Sequence, residues 1–173
     1  MNIICRMLFV AIFVAFAFPA TAVADGPDLS GTYSYDEENS DDMMEAFTPA
    51  IDAMSRMRRG FARRAVRNQD DPPAQIKIEQ SDDEIAIHAG DSPVIRAPLN
   101  GETVDYVNKD GETEKVTARL DDDAVEVHRD FDDGEYRTRY RLSTSGQRLG
   151  IFSKIDMDAL PKVVNYRRAY DRR

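Results

Sequence analysis

Residues 124–157 read AVEVHRDFDDGEYRTRYRLSTSGQRLGIFSKIDM. Three runs of alternating polarity, AVEVHRDF (124–131), EYRTRYRL (135–142) and RLGIFSKIDM (148–157), are joined by DDG and STSGQ. A period of two is the pattern of a strand with one buried face, and Asp-Gly and Ser-Gly tolerate the positive φ that tight hairpins need. Connections this short make successive strands pair antiparallel, so the stretch predicts a β-meander.

The same rhythm extends in both directions. QIKIEQ (75–80), EIAIHA (84–89), VIRAPL (94–99), TVDYVN (103–108), EKVTARL (114–120) and VVNYRRAYDR (163–172) alternate between short polar connections, and DLSGTYSY (28–35) adds a strand at the front. A meander of about ten strands removes its exposed edges best by curling closed. The predicted fold is therefore mainly β: an antiparallel up-and-down meander closed into a barrel of about 8–10 strands. A packed all-β sandwich is the main alternative. The inward set would run from Ile76 and Ile78 through Val116, Val125 and Val127 to Ile151, Val164 and Tyr166.

One segment breaks the rhythm. After the acidic loop DEENSDD (36–42), residues 43–67 carry helical spacing, within an insertion of about 41–67, with Met43, Met44, Phe47, Ile51, Met54, Phe61 and Ala65 at steps of three and four. This predicts an amphipathic helical insertion after the first strand, and Pro49 behind Thr48 suits the first turn of a helix, so a kink there or two consecutive helices are expected. Its second half, RMRRGFARRAVR (56–67), holds six arginines. Arg56, Arg59, Arg63 and Arg67 gather opposite the apolar face, as a solvated stripe or as a docking surface for an acidic partner. Arg58 instead falls among Phe47, Met54 and Phe61. There it must meet a carboxylate, point into a cavity or snorkel to the surface.

The N-terminal residues give an address. Arg6, an apolar run from Met7 to Phe18 and the small-residue pattern Ala22-Val23-Ala24 read as a signal peptide over 1–24, cleaved near Ala24/Asp25. The apolar run is shorter than the roughly 20 residues a membrane-spanning helix needs, so no stable membrane insertion is expected after cleavage. Residues 25–173 then form a single domain, exported to the periplasm or secreted. Cys5 is the only cysteine, which leaves that domain without disulfide, thiolate ligand or cysteine nucleophile. Of 23 basic residues only Arg6 precedes Asp25, so 22 remain against 32 acidic ones. That balance argues against nucleic acid and anionic membrane surfaces as general partners.

No reaction is legible. His88 and His128 share strand parity with polar neighbours and do not make a zinc site, and the Asp runs at 121–123 and 130–133 lack the spacing of a calcium loop. There is no G-x-S-x-G elbow and no glycine-rich phosphate loop, so neither enzyme nor cofactor is expected. What remains is an interior carrying Arg129, Arg168, Tyr33, Tyr136, Tyr140 and Tyr166, with Arg58 from the helix. Arginines and phenols in an apolar cup suit a small amphipathic anion, in a cavity of roughly 300 Å³ or more. Arg137, Arg139 and Arg141 have the opposite parity and should line an outer strand face, facing Glu126 and Asp130.

SGTY (30–33), the meander and NYRRAYDR (165–172) resemble the lipocalins and their calycin relatives. The resemblance implies a lipocalin-like barrel in which Gly31 and Tyr33 occupy the Gly-x-Trp positions, and Arg168 could cover the Tyr33 ring. The layout from Pro72-Pro73 through YRLS (140–143) to the LP..V.YR..Y.R pattern over 160–172 is similar to a group of uncharacterised exported bacterial proteins. The expected function is an exported small-molecule-binding protein holding an apolar or amphipathic anion. The alternative is an interaction module that docks an acidic envelope protein on the Arg-rich helix face.

Overall fold

In the computed structural model, which describes residues 26–68 and 71–173, ten strands and two helices follow the order that the polarity rhythm predicts. They are β1 (Gly31–Asp36), α1 (Met43–Ala53), α2 (Arg56–Asn68), β2 (Gln75–Gln80), β3 (Glu84–Ala89), β4 (Ile95–Pro98), β5 (Asn100–Val107), β6 (Thr113–Asp121), β7 (Ala124–Phe131), β8 (Gly134–Leu142), β9 (Arg148–Met157) and β10 (Val164–Arg172). The signal-peptide reading of residues 1–24 lies outside the described residues.

All strands belong to one antiparallel sheet in the order β4-β3-β2-β1-β10-β9-β8-β7-β6-β5. Because β1 pairs with both β2 and β10, the meander curls into a nearly closed barrel and the sandwich alternative is overturned. The seam falls between β4 and β5, which are joined through Leu99 alone and share no ladder. Across it the Tyr106 hydroxyl donates to the Pro93 carbonyl at 3.2 Å.

Period-two register turns alternate side chains inward, and the two ends of the barrel are filled differently. One cluster, including Tyr33, Ile78, Ile85, Val116, Val125, Tyr140, Leu149 and Tyr170, packs the interior. Its end is closed by residues 26–30: Gln80 binds the Leu29 amide and the Pro27 carbonyl, and the Tyr33 hydroxyl donates to the Leu29 carbonyl at 2.7 Å. A second cluster joins Met43, Ala50 and Ile51 of α1 and Val66 of α2 to Val164 and Tyr166 of β10.

The helical pair breaks at a different place from the one expected. Asp42 caps α1 through its carboxylate, which accepts from the Glu45 amide at 2.7 Å. Pro49 sits inside α1 without starting a new helix, and the Thr48 hydroxyl bonds back to the Met44 carbonyl at 2.8 Å. The turn comes at Met54, whose extended backbone ends α1 with its amide bonded to the Ile51 carbonyl. Only Val66 of α2 is buried, and Phe61, although on the face turned to the barrel, stays 75% exposed. With six arginines and a glycine, α2 has too little apolar surface to dock deeply.

The β7–β8 turn relies on Gly134. A β-carbon there would lie 2.8 Å from the Met157 α-carbon and collide with the Asp156 carbonyl of β9. Both are backbone atoms of a paired strand, so the neighbour cannot rotate away. Gly134→Ala is expected to cost more than about 1 kcal/mol, read as a lowered urea midpoint. An unchanged midpoint would mean that the turn relaxes freely.

Candidate functional site

A cleft of about 1280 Å³ lies between the helices and the inward side chains at one end of β6–β10. Its helix wall is Met43, Phe47, Ile51, Met54, Phe61 and Val66; its barrel wall is Phe131, Tyr136, Ile155, Met157, Leu160 and Tyr166. The helical spacing of the first set and the strand parity of the second aim both at the same space. Arg58, Arg129 and Arg168 line it, with Glu114 of β6 and, in the β5–β6 and β7–β8 loops, Glu112, Asp132 and Asp133.

The three arginines differ in what they already hold. Arg129 is committed: its Nε and Nη2 donate to the two Glu114 carboxylate oxygens at 2.7 and 2.9 Å, and its guanidinium lies over the Tyr106 and Tyr136 rings. Asn108 gives Glu114 a further hydrogen bond at 2.9 Å, so this nearly buried acid is well satisfied. Arg58 is exposed and donates to the Ala159 carbonyl at 3.2 Å, tying α2 to the β9–β10 loop without a carboxylate partner among the described residues. Arg168 is half-buried and likewise has no carboxylate at ion-pair distance among the described residues. Its guanidinium lies 5.3 Å from the Tyr166 ring centre, with Nη2 3.8 Å from Met43 Sδ.

The resemblance-based placement of Arg168 over Tyr33 is corrected. Arg172, two positions further on, covers that ring at 5.7 Å and also bonds the Ser30 and Gly146 carbonyls. Arg172 reaches the closed end of the barrel, whereas Arg168 reaches the cleft. Tyr33 and Tyr140 pack in the closed core and do not line the cleft, while Tyr136 and Tyr166 do. The Tyr136 hydroxyl meets that of Tyr166 at 2.5 Å and donates to Ser153 Oγ at 3.0 Å.

Sequence reading missed Glu114. Glu114 shares inward parity with Val116 and Ala118, but its partner on β7 is set by a register that only the folded sheet fixes. Tyr170 follows Arg168 by two positions on the same strand face. It is fully buried, and among the described residues its hydroxyl alone is a buried side-chain polar atom without a hydrogen-bond partner.

Burial pushes the phenols up: Tyr170 to about 12, with the Arg168 charge pulling the other way, and Tyr140 and Tyr166 in the same direction. Well below pH 10, where a free tyrosine is half ionised, folded and unfolded chains hold the same phenolic protons. Above it the unfolded chain releases protons that the folded chain keeps, so each buried tyrosine removes about 1.4 kcal/mol of stability per pH unit. Cooperative unfolding is expected between about pH 10 and 12, with phenolate absorbance rising together with loss of circular dichroism. Ionisation of all seven tyrosines in a still-folded protein would contradict it.

His88 and His128 lie on the outer face, 3.3 Å from Glu79 and 3.1 Å from Glu135. Arg137, Arg139 and Arg141 point outward as expected, but their partners differ: Glu135 for Arg137, Asp121 and Asp123 for Arg139, Asp123 for Arg141. Glu126 pairs with Arg119 instead. On α2, Arg59 bonds the Met54 and Asp52 carbonyls and Arg63 pairs with Asp52 at 3.1 Å. Half of the predicted stripe therefore locks the α1–α2 elbow, leaving Arg56 and Arg67.

Ten antiparallel strands with a helical pair after the first define a calycin-like β-barrel of the architecture seen in fatty-acid-binding proteins. No protein-family model matches the chain, and no curated protein matches it in sequence. Solved structures do match. A "secretary abundant heat soluble (SAHS) protein" from Ramazzottius varieornatus has a TM-score of 0.61 at 12% identity, over 87% of this chain and 98% of that one. The fluorescent protein UnaG has 0.56 at 20%, over 83% and 96%. A fatty acid-binding protein from Drosophila melanogaster brain tissue has 0.54 at 16%, over 83% and 99%. Identities this low bear on the fold alone.

Proposed function

We propose that the chain binds an amphipathic anion, its apolar part lying between the helices and the barrel and its charged head against Arg168. One observation carries the reading: in an apolar cleft large enough for a lipid-sized ligand, Arg168 has no acidic partner among the described residues. Protein cations with buried stems are ordinarily paired, so an unpaired one in an apolar cleft offers its charge-assisted hydrogen bonds to a ligand anion. The Tyr136 and Tyr166 hydroxyls, which line the same cleft, are the further donors within it. Several structures of the same fold are described as binding or carrying fatty acids, which agrees with this chemistry.

Two finer parts of the reading rest on sequence. Export to the periplasm or outside follows from the pattern of residues 1–24. The alternative role, docking an acidic envelope protein on α2, is weakened because Arg59 and Arg63 are engaged in the elbow.

Titration of the purified protein with a fluorescent long-chain fatty acid tests the proposal. Saturable one-to-one binding, displaced by a non-fluorescent carboxylate of the same length but not by the corresponding alcohol, is expected. Absence of saturation, or equal displacement by the alcohol, would overturn it.

A further inference from the structure

The outer face of β6–β10 carries a feature that ligand binding leaves unused. Arg119, Glu126, Arg139, Phe152 and Arg167 are successive cross-strand neighbours on it. They help line a shallow hollow of about 740 Å³. The Phe152 ring folds over Gly150, where a β-carbon would come within 3.0 Å of it, and stays 44% exposed. On the β6–β8 side the arginines are neutralised by Glu126, Glu135, Asp121 and Asp123. On the β9–β10 side Lys154 and Arg167 have no carboxylate at ion-pair distance among the described residues.

Beside this cationic hollow stands the loop between β1 and α1. It is pinned to β10 by the Arg167 amide donating to Asp41 Oδ2 at 2.7 Å, the Asp41 amide donating to the Arg167 carbonyl at 2.9 Å and Arg167 Nη2 donating to the Asn39 carbonyl at 3.1 Å. Its Glu37 and Glu38 are exposed and have no cationic partner among the described residues. Unpaired negative and unpaired positive charges thus lie side by side on one surface.

We propose that two copies of the chain associate about a two-fold axis running between loop and hollow. Each copy then presents Glu37 and Glu38 to Lys154 and Arg167 of the other, around Phe152. A two-fold interface requires a self-complementary surface, which this pairing supplies. Elsewhere two copies of a chain with net charge -9 repel each other. With a single exposed aromatic at its centre, the interface belongs to the small, weak class and is held by charge.

Analytical ultracentrifugation of the purified protein tests this. A monomer–dimer equilibrium is expected in about 50 mM salt, with the dissociation constant rising at least about tenfold in 500 mM salt, where charges are screened over a few ångströms. Glu37→Lys with Glu38→Lys, and separately Lys154→Glu with Arg167→Glu, should each leave a monomer. Mixed in equal amounts the two variants should form a heterodimer, because one contact is restored with its signs exchanged and the other is the native pair. Phe152→Asp, which disturbs neither loop nor ion pair, should also be monomeric and keeps the test valid if an Arg167 variant misfolds. Wild type remaining monomeric in low salt up to about 0.5 mM, or an equal mixture of folded variants failing to pair, overturns the proposal.

Discussion

Arg129→Leu is expected to lower the stability of the protein by about 3–5 kcal/mol, a large part of the roughly 5–15 kcal/mol that holds a domain of this size. The reason lies in Glu114. The residue is 5% exposed and its carboxylate receives two donors from Arg129. Removing them leaves a charge in low dielectric with Asn108 as its remaining partner among the described residues. Urea denaturation of the single variant, of Glu114→Leu and of the double variant reads the effect. The double variant should recover most of the loss, because two leucines at adjoining positions pack without a charge to solvate. A double variant as weak as the single one would show that Arg129 acts through its stacking on Tyr106 and Tyr136 instead.

Arg168→Leu carries the opposite signature. No carboxylate depends on it among the described residues, so the fold should change by no more than about 1 kcal/mol. Binding of an anionic ligand should weaken by about 10–100-fold, the loss of a charge-assisted hydrogen bond of roughly 1.5–3 kcal/mol. Binding of an uncharged analogue should be nearly unaffected, since leucine preserves the apolar wall. Tyr170→Phe is the control: it removes a hydroxyl that has no protein partner and packs in the closed core, so neither the fold nor anion binding should suffer. Equal binding of the carboxylate by wild type and Arg168→Leu would exclude Arg168 as the head-group contact.

These two arginines show why parity alone could not assign roles. Both stand at inward strand positions, between aromatic neighbours. Strand alternation aims them at the interior, yet whether an acid waits there depends on the β6–β7 register, which lies outside any local run of sequence. Arg168 and Arg172 likewise share one face of β10, and only the barrel's two ends distinguish the cleft from the Tyr33 ring. The break between helices is a similar case. Thr48 and Pro49 are local signals for the start of a second helix, but continued burial of Ala50 and Ile51 against Val164 and Tyr166 carries α1 past them.

What the sequence determined by itself is whatever depends on neighbours a few residues apart. Alternation and turn chemistry set the ten strands and their antiparallel order; spacing by three and four set the helical insertion. The segments AVEVHRDF, EIAIHA and RLGIFSKIDM are strands from end to end. The tertiary structure decided where the barrel closes, which end is packed and which holds the cleft, and which charges find partners. Those outcomes follow from side chains brought together over long separations, as with the 125 residues between Arg168 and Met43, and no local pattern encodes them.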